Sequence, residues 1–93
     1  MPTGTNGNDT MIGTSASETF YALDGNDYVL GQGGNDVIYG GAGNDYLSGG
    51  DGNDYISAGT GIDTVHGWAD NDTIVSSGYG QYYGDDGNDY MYA

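Results

Sequence analysis

The apolar positions of this chain recur every nine residues: Met11, Phe20, Val29, Ile38, Leu47, Ile56, Val65, Ile74 and Tyr83. Two residues ahead of them stand Asp9, Glu18, Asp27, Asp36, Asp45, Asp54, Asp63 and Asp72, then Gln81 in place of an acid. Gly7, Gly25, Gly34, Gly43, Gly52 and Gly61 lie two residues earlier still. After Gln81 the pattern resumes one residue early, at Gly87, Asp89 and Met91, which reads as a one-residue deletion near Gly84. The chain is therefore ten nonapeptide repeats from about Gly4 to Ala93, and residues 1–93 form a single domain.

Gly40-Gly41-Ala42-Gly43-Asn44-Asp45-Tyr46-Leu47-Ser48 is a well-kept unit. Its places are numbered one to nine, with Asp at six and the apolar residue at eight. Glycine at places one, two and four permits positive φ and close backbone approach, and Asn and Asp favour turns. Places seven to nine alternate outward, inward, outward, as a short strand does. Turn and strand in alternation wind a coil. A helix is excluded by the density of glycine and by a period that is no multiple of 3.6.

Composition narrows the function. The 93 residues hold thirteen Asp and Glu18 but no Lys or Arg, a formal charge of −14. Such a chain has no means of neutralising nucleic-acid phosphates or docking through a polybasic patch, so no nucleic-acid partner is expected. Its apolar runs are far too short for membrane insertion. Without Cys there is no disulfide, thiolate site or thiol nucleophile. Low hydrophobicity and high charge would suggest disorder, yet the acids keep a strict spacing. Carboxylates beside glycine-turn carbonyls are hard oxygen donors suited to Ca²⁺. Mg²⁺ fits less well, and Zn²⁺ lacks its donors because His66 is the lone histidine. The ion-free chain is expected to be unfolded or barely folded.

With Gly-Gly-x-Gly-x-Asp-x-apolar-x kept through Ala22–His66, the chain resembles the RTX family of hemolysin-type calcium-binding repeats. The resemblance implies an all-β, right-handed parallel β-roll, a β-solenoid of about five coils with two repeats each. It implies that Ca²⁺ lies between turns eighteen residues apart, held by the place-six side chains of Asp9, Asp27, Asp36, Asp45, Asp54, Asp63, Asp72 and Asp89. Carbonyls at places one to four complete the shell. One implied site takes Gly41, Gly43 and Asp45 with Ala58, Thr60 and Asp63. A site on the other edge takes Gln32, Gly34 and Asp36 with Gly49, Asp51 and Asp54. Departures at Ser15–Glu18, Asp70 and Ser76–Gln81 leave an expectation of roughly five to eight ions. The resemblance also implies type I secretion and an extracellular or cell-surface location.

Tyrosines mark the outward places. Tyr28, Tyr46, Tyr55, Tyr82 and Tyr90 fall at place seven, and Tyr21, Tyr39 and Tyr92 at place nine. Tyr28 is expected to stack on Tyr46, and Tyr21 on Tyr39. Together these tyrosines form a candidate assembly surface. The expected function is a calcium-binding extracellular structural protein whose partner is itself, joined head to tail in filaments. The alternative is a Ca²⁺-dependent folding or secretion module of a larger exoprotein. An ice-binding or adhesin role is less favoured: place five carries Asn26, Asn35, Asn44, Asn53, Asn71 and Asn88, but place three has no threonine rank. No enzyme is expected. His66, Thr64 and Ser57 supply ingredients of a catalytic group without a pocket or an oxyanion hole. Trp68, at place two, has no assigned role.

Overall fold

The computed structural model describes residues 3–76, 79–85, 87 and 89–92, without the side chains of Tyr79 and Tyr92. Asn88 and the Tyr92 side chain, both singled out in the sequence, lie outside the described residues. Among the described residues ten strands follow one another: β1 Thr10–Ile12, β2 Thr19–Tyr21, β3 Tyr28–Leu30, β4 Val37–Tyr39, β5 Tyr46–Ser48, β6 Tyr55–Ser57, β7 Ile62–His66, β8 Thr73–Val75, β9 Tyr79–Tyr83 and β10 Tyr90–Tyr92. Up to β8, each covers places seven to nine of its repeat, and β7 starts two residues early.

The strands sort by parity into two parallel sheets, β1-β3-β5-β7-β9 and β10-β8-β6-β4-β2. Each strand pairs with the one a full coil away, so Tyr28 faces Tyr46 and Ile38 faces Ile56. From β1 to β9 the chain makes about four complete turns, slightly fewer than the five coils expected. Place-eight side chains point between the sheets. Phe20, Val29, Ile38, Leu47, Ile56 and Val65 are fully buried, and Ile74 nearly so. Ala22 and Ala58, at place one, join that core, a contribution the apolar comb did not reveal. The body is a slab of 32 × 27 × 12 Å, and its thin dimension is that of two sheets sharing one layer of side chains.

The deletion lies elsewhere than expected. Thr64 pairs with Gln81 and Thr73 with Tyr90, both seventeen residues apart, whereas Ile56 and Ile74 keep eighteen. The missing residue therefore falls between β8 and β9, before Tyr79 rather than near Gly84. Two assignments shift with it. Tyr82 pairs with Val65 and packs against the core, so it leaves the outward surface, and Tyr83 takes its place beside His66. Gly80, not Gln81, stands opposite Asp63.

Candidate metal centre

The turns between strands carry the place-six acids on the two edges of the slab. Positive φ recurs at places two and four, as at Gly41 (81°) and Gly43 (106°). Leu23, Gln32, Trp68, Asp70 and Asp85 adopt it despite their side chains, between 66° and 71°. Place one is different, because its glycine is needed for room. A Cβ on Gly31 would lie 2.7 Å from Asp36 Oδ2 and 2.8 Å from the Gly49 carbonyl oxygen.

Asp27, Asp36, Asp45, Asp54, Asp63 and Asp72 are buried, none more than 4% exposed. Their Oδ1 atoms form a ladder along each edge. Asp36 Oδ1 accepts the Glu18 N–H at 2.8 Å, and Asp54 Oδ1 accepts that of Asp36 at 2.7 Å. On the other edge the Asp9, Asp27 and Asp45 N–H groups donate to Asp27, Asp45 and Asp63, each at 2.8 Å. The Asp54 and Asp72 N–H groups donate likewise to Asp72 and Asp89.

The other oxygen has nothing. Oδ2 of all six buried aspartates is shut from solvent and bonded to no protein group. A buried charge without a partner is strongly disfavoured, and the titration behaviour reflects it. Burial, reinforced by repulsion from Asp72 and Asp36, pushes Asp54 up to about 8 despite the Asp36 N–H bond. Burial likewise raises Asp45 and Asp72 to about 7, and Asp36 and Asp63 to about 6. Asp27 shifts in the same direction for the same first cause.

Three of these orphan oxygens, at Asp36, Asp45 and Asp72, face positions that carbonyls also approach. At Gly40 the Cβ position would meet both Asp45 Oδ2, at 3.0 Å, and the Ala58 carbonyl, at 2.7 Å. The Gly41 and Gly43 carbonyls approach the next turn at Gly59 and Gly61. On the opposite edge the Gln32 and Gly34 carbonyls approach Gly50 and Gly52. Gly40 thus juxtaposes Asp45 and Ala58 of the first implied site, and Gly31 juxtaposes Asp36 and Gly49 of the second, while Thr60 and Asp51 lie exposed in their turns. Among the described residues no three acidic or histidine side chains converge. A cation there would draw on these carboxylates and take its remaining ligands from carbonyls. That donor set suits Ca²⁺, which accepts six to eight oxygens in irregular geometry.

Asp9 and Glu18 stand apart. Asp9 Oδ2 accepts the Thr5 N–H at 2.6 Å, and Glu18 Oε1 accepts the Thr14 N–H at 2.8 Å. Asp89 Oδ1 accepts the Asp72 N–H at 2.7 Å, and Asp89 itself is only half-buried.

Away from the turns, Tyr28 stacks on Tyr46 with centroids 4.9 Å apart, and Tyr21 on Tyr39 at 5.2 Å, as the register required. Tyr55 lies diagonal to Tyr39, tilted at 6.3 Å. Tyr90 is two-thirds exposed. His66 stacks between Trp68 and Tyr83, and its Nδ1 lies 3.4 Å from Asp85. Ser57 is on the other sheet, apart from His66.

The model of the RTX calcium-binding nonapeptide repeat (4 copies) matches residues 3–36, 12–47, 21–56, 48–78 and 83–93. No curated protein and no solved structure matches the chain. With orphan carboxylates facing carbonyl-lined gaps and this match along nearly its whole length, the chain belongs to the RTX calcium-binding repeat family.

Proposed function

We propose that this chain is a calcium-dependent folding module that works outside the cell and has no catalytic role. The observation that carries the reading is the set of six buried Oδ2 atoms without a partner. Divalent charge supplied between the turns would neutralise them, tying each coil to the next. Asp27, Asp36, Asp45, Asp54, Asp63 and Asp72 are the side chains that would hold it, with the carbonyls of Gly41, Gly43 and Ala58 on one edge and Gln32, Gly34 and Gly49 on the other. The end acids Asp9 and Asp89 contribute less. Extracellular calcium modules bind at ~10⁻⁴–10⁻³ M, which matches a chain that stays open in a low-calcium cytoplasm and closes after export. Among the described residues, no helix is long and apolar enough to cross a membrane.

Calcium titration followed by calorimetry and far-ultraviolet circular dichroism tests this. Cooperative β-structure with several ions bound per chain supports it. A β spectrum unchanged in excess EGTA rejects it.

Head-to-tail self-assembly is the second reading, and one observation favours it. Met91 continues the place-eight column opposite Ile74, yet it is 52% exposed where its predecessors are buried. The inter-sheet core is open beside Met91, and a first coil of a second copy would cover it with the half-buried Met11. A larger exoprotein continuing the same coil would cover it equally well. Sedimentation and negative-stain microscopy with and without Ca²⁺ separate the two. Fibres that EGTA dissolves support assembly, and a monomer at high concentration in millimolar Ca²⁺ rejects it.

A further inference from the structure

The outward face of the β1-β3-β5-β7-β9 sheet holds a groove of about 380 Å³, well away from the core. Tyr28, Tyr46 and Trp68 wall it, Ser48 is buried beneath, and Gln32 and Asp51 are exposed at its edge. The volume lies within the range of small-molecule sites, which pair aromatic walls with a few polar groups.

The ring of Trp68 is held in position. Its Nε1–H donates to Ser48 Oγ at 2.6 Å, twenty residues away in sequence and on the neighbouring strand of the sheet. His66 stacks beside it at 5.2 Å, and the Trp68 backbone N–H donates to Asp85 Oδ2 at 3.3 Å. Tyr46 holds Tyr28 in the same way, by the 4.9 Å stack. Tyr28 and Trp68 nonetheless remain 43% and 45% exposed. Fixed rings with uncovered area lose little conformational freedom when a ligand arrives.

Charge selects among ligands. The chain has no Lys or Arg to pair with Asp51, so the groove repels anions. A hard inorganic cation finds only one carboxylate among aromatic rings there, a poorer donor set than the turns offer. An organic cation is matched on both counts. Its alkyl groups contact the rings, its charge meets their π faces, and a carboxylate stands at the edge. Aromatic cages recognise quaternary ammonium groups in this way.

We infer that the groove formed by Tyr28, Tyr46 and Trp68 with Asp51 binds a small organic cation bearing a quaternary or alkylated ammonium group. This goes beyond the calcium-dependent fold: the groove borders the turns of Gln32 and Asp51 but uses side chains that the calcium reading does not. Trp68 is the chain's one tryptophan, so its fluorescence reports the groove directly.

The test titrates the Ca²⁺-saturated chain with choline and with 3,3-dimethyl-1-butanol, its uncharged carbon isostere, at constant ionic strength. Choline is expected to change Trp68 emission saturably, and the isostere to bind about five- to tenfold more weakly. Tyr28→Leu and Asp51→Asn are each expected to weaken choline binding about threefold or more, measured on protein that retains its β spectrum. Equal affinity for the isostere, tighter binding of methyl glucoside than of choline, or no saturable change each overturns the inference. Each of these outcomes leaves the calcium titration unaffected, so the two readings fail separately.

Discussion

The first coil and the middle coils carry an acid at the same place, and they treat it in opposite ways. In the first coil, threonine stands four residues before the acid, and its backbone N–H closes onto the carboxylate, Thr5 to Asp9 and Thr14 to Glu18. Thr5 Oγ1 also accepts the Gly7 N–H, and Thr14 Oγ1 that of Ala16, stitching each turn to itself. In the middle coils the same place holds Leu23, Gln32, Gly41, Gly50, Gly59 and Trp68, all at positive φ. Thr5 and Thr14 are not among the positive-φ residues, in keeping with the cost of that region for β-branched side chains. Where place two turns left-handed, Oδ2 is left bare. One backbone choice thus separates a turn whose carboxylate is satisfied from a turn whose carboxylate keeps an unpartnered oxygen.

The largest consequence is for calcium removal. Chelation is expected to abolish the β spectrum of the middle coils altogether, because six uncompensated buried carboxylates cannot all remain charged. Hydrogen exchange resolved along the chain would check this. Protection at Val29, Leu47 and Ile56 that survives EGTA would break the distinction between self-satisfied and cation-requiring turns.

Next in size is a pair of single substitutions. Asp54→Asn keeps an oxygen to accept the Asp36 N–H but removes charge from the most strongly perturbed carboxyl. It is expected to weaken calcium-driven folding about tenfold, since ligand charge sets the affinity of such sites. Asp9→Asn, at a carboxylate that Thr5 already satisfies, should change it less than about threefold. Calcium midpoints by circular dichroism measure both, and equal effects would count against the comparison.

Much of this was legible in the sequence, for physical reasons. A side chain between two sheets must be apolar in every coil, so the column from Phe20 to Ile74 announced itself. The Tyr28–Tyr46 stack followed from an eighteen-residue register. The deletion was harder to place. Tyr79-Gly80-Gln81-Tyr82-Tyr83 offers adjacent aromatics that suit either register, and it has no acid to mark the tooth. Only pairing with Ile62–His66 decides between them. The role of Trp68 was hidden because its partner, Ser48, is on another coil. The threonine closure was visible in principle: a β-branched residue at a place that otherwise demands positive φ signals a different turn.

Proton concentration should move the two regions apart more modestly. In the ion-free fold the carboxyls of Asp36, Asp45, Asp54, Asp63 and Asp72 lie at about 6 to 8, against an unfolded value near 4. The folded state therefore binds more protons than the unfolded one between those limits. Its stability rises as pH falls from about 8 toward 4, and is lost as pH rises through the folded values. In EGTA, acidification is expected to restore part of the β spectrum. With calcium present the direction reverses for binding, because protons compete for the same oxygens, and affinity should fall between pH 8 and pH 6. A β signal in EGTA that weakens on acidification to pH 5 would contradict the burial of these groups.

The smallest expected effect is also the sharpest test, because it converts one kind of turn into the other. Thr5→Gly removes the β-branch and the hydroxyl that receives the Gly7 N–H, and lets place two adopt the φ found at Gly41 and Gly50. The N–H now bonded to Asp9 Oδ2 would then be free to turn away, leaving that oxygen without a backbone donor, as at Asp27 and Asp45. Asp27 already accepts the Asp9 N–H at 2.8 Å, and the Ala22 carbonyl already faces the gap at Gly4. The variant is expected to bind about one additional calcium ion by calorimetry, at an affinity in the range of the middle sites. Its ion-free form should be slightly less ordered, by the loss of one closed turn. Unchanged stoichiometry in a folded Thr5→Gly variant would mean that place two does not govern the carboxylate, and that the first coil differs from the middle for some other reason.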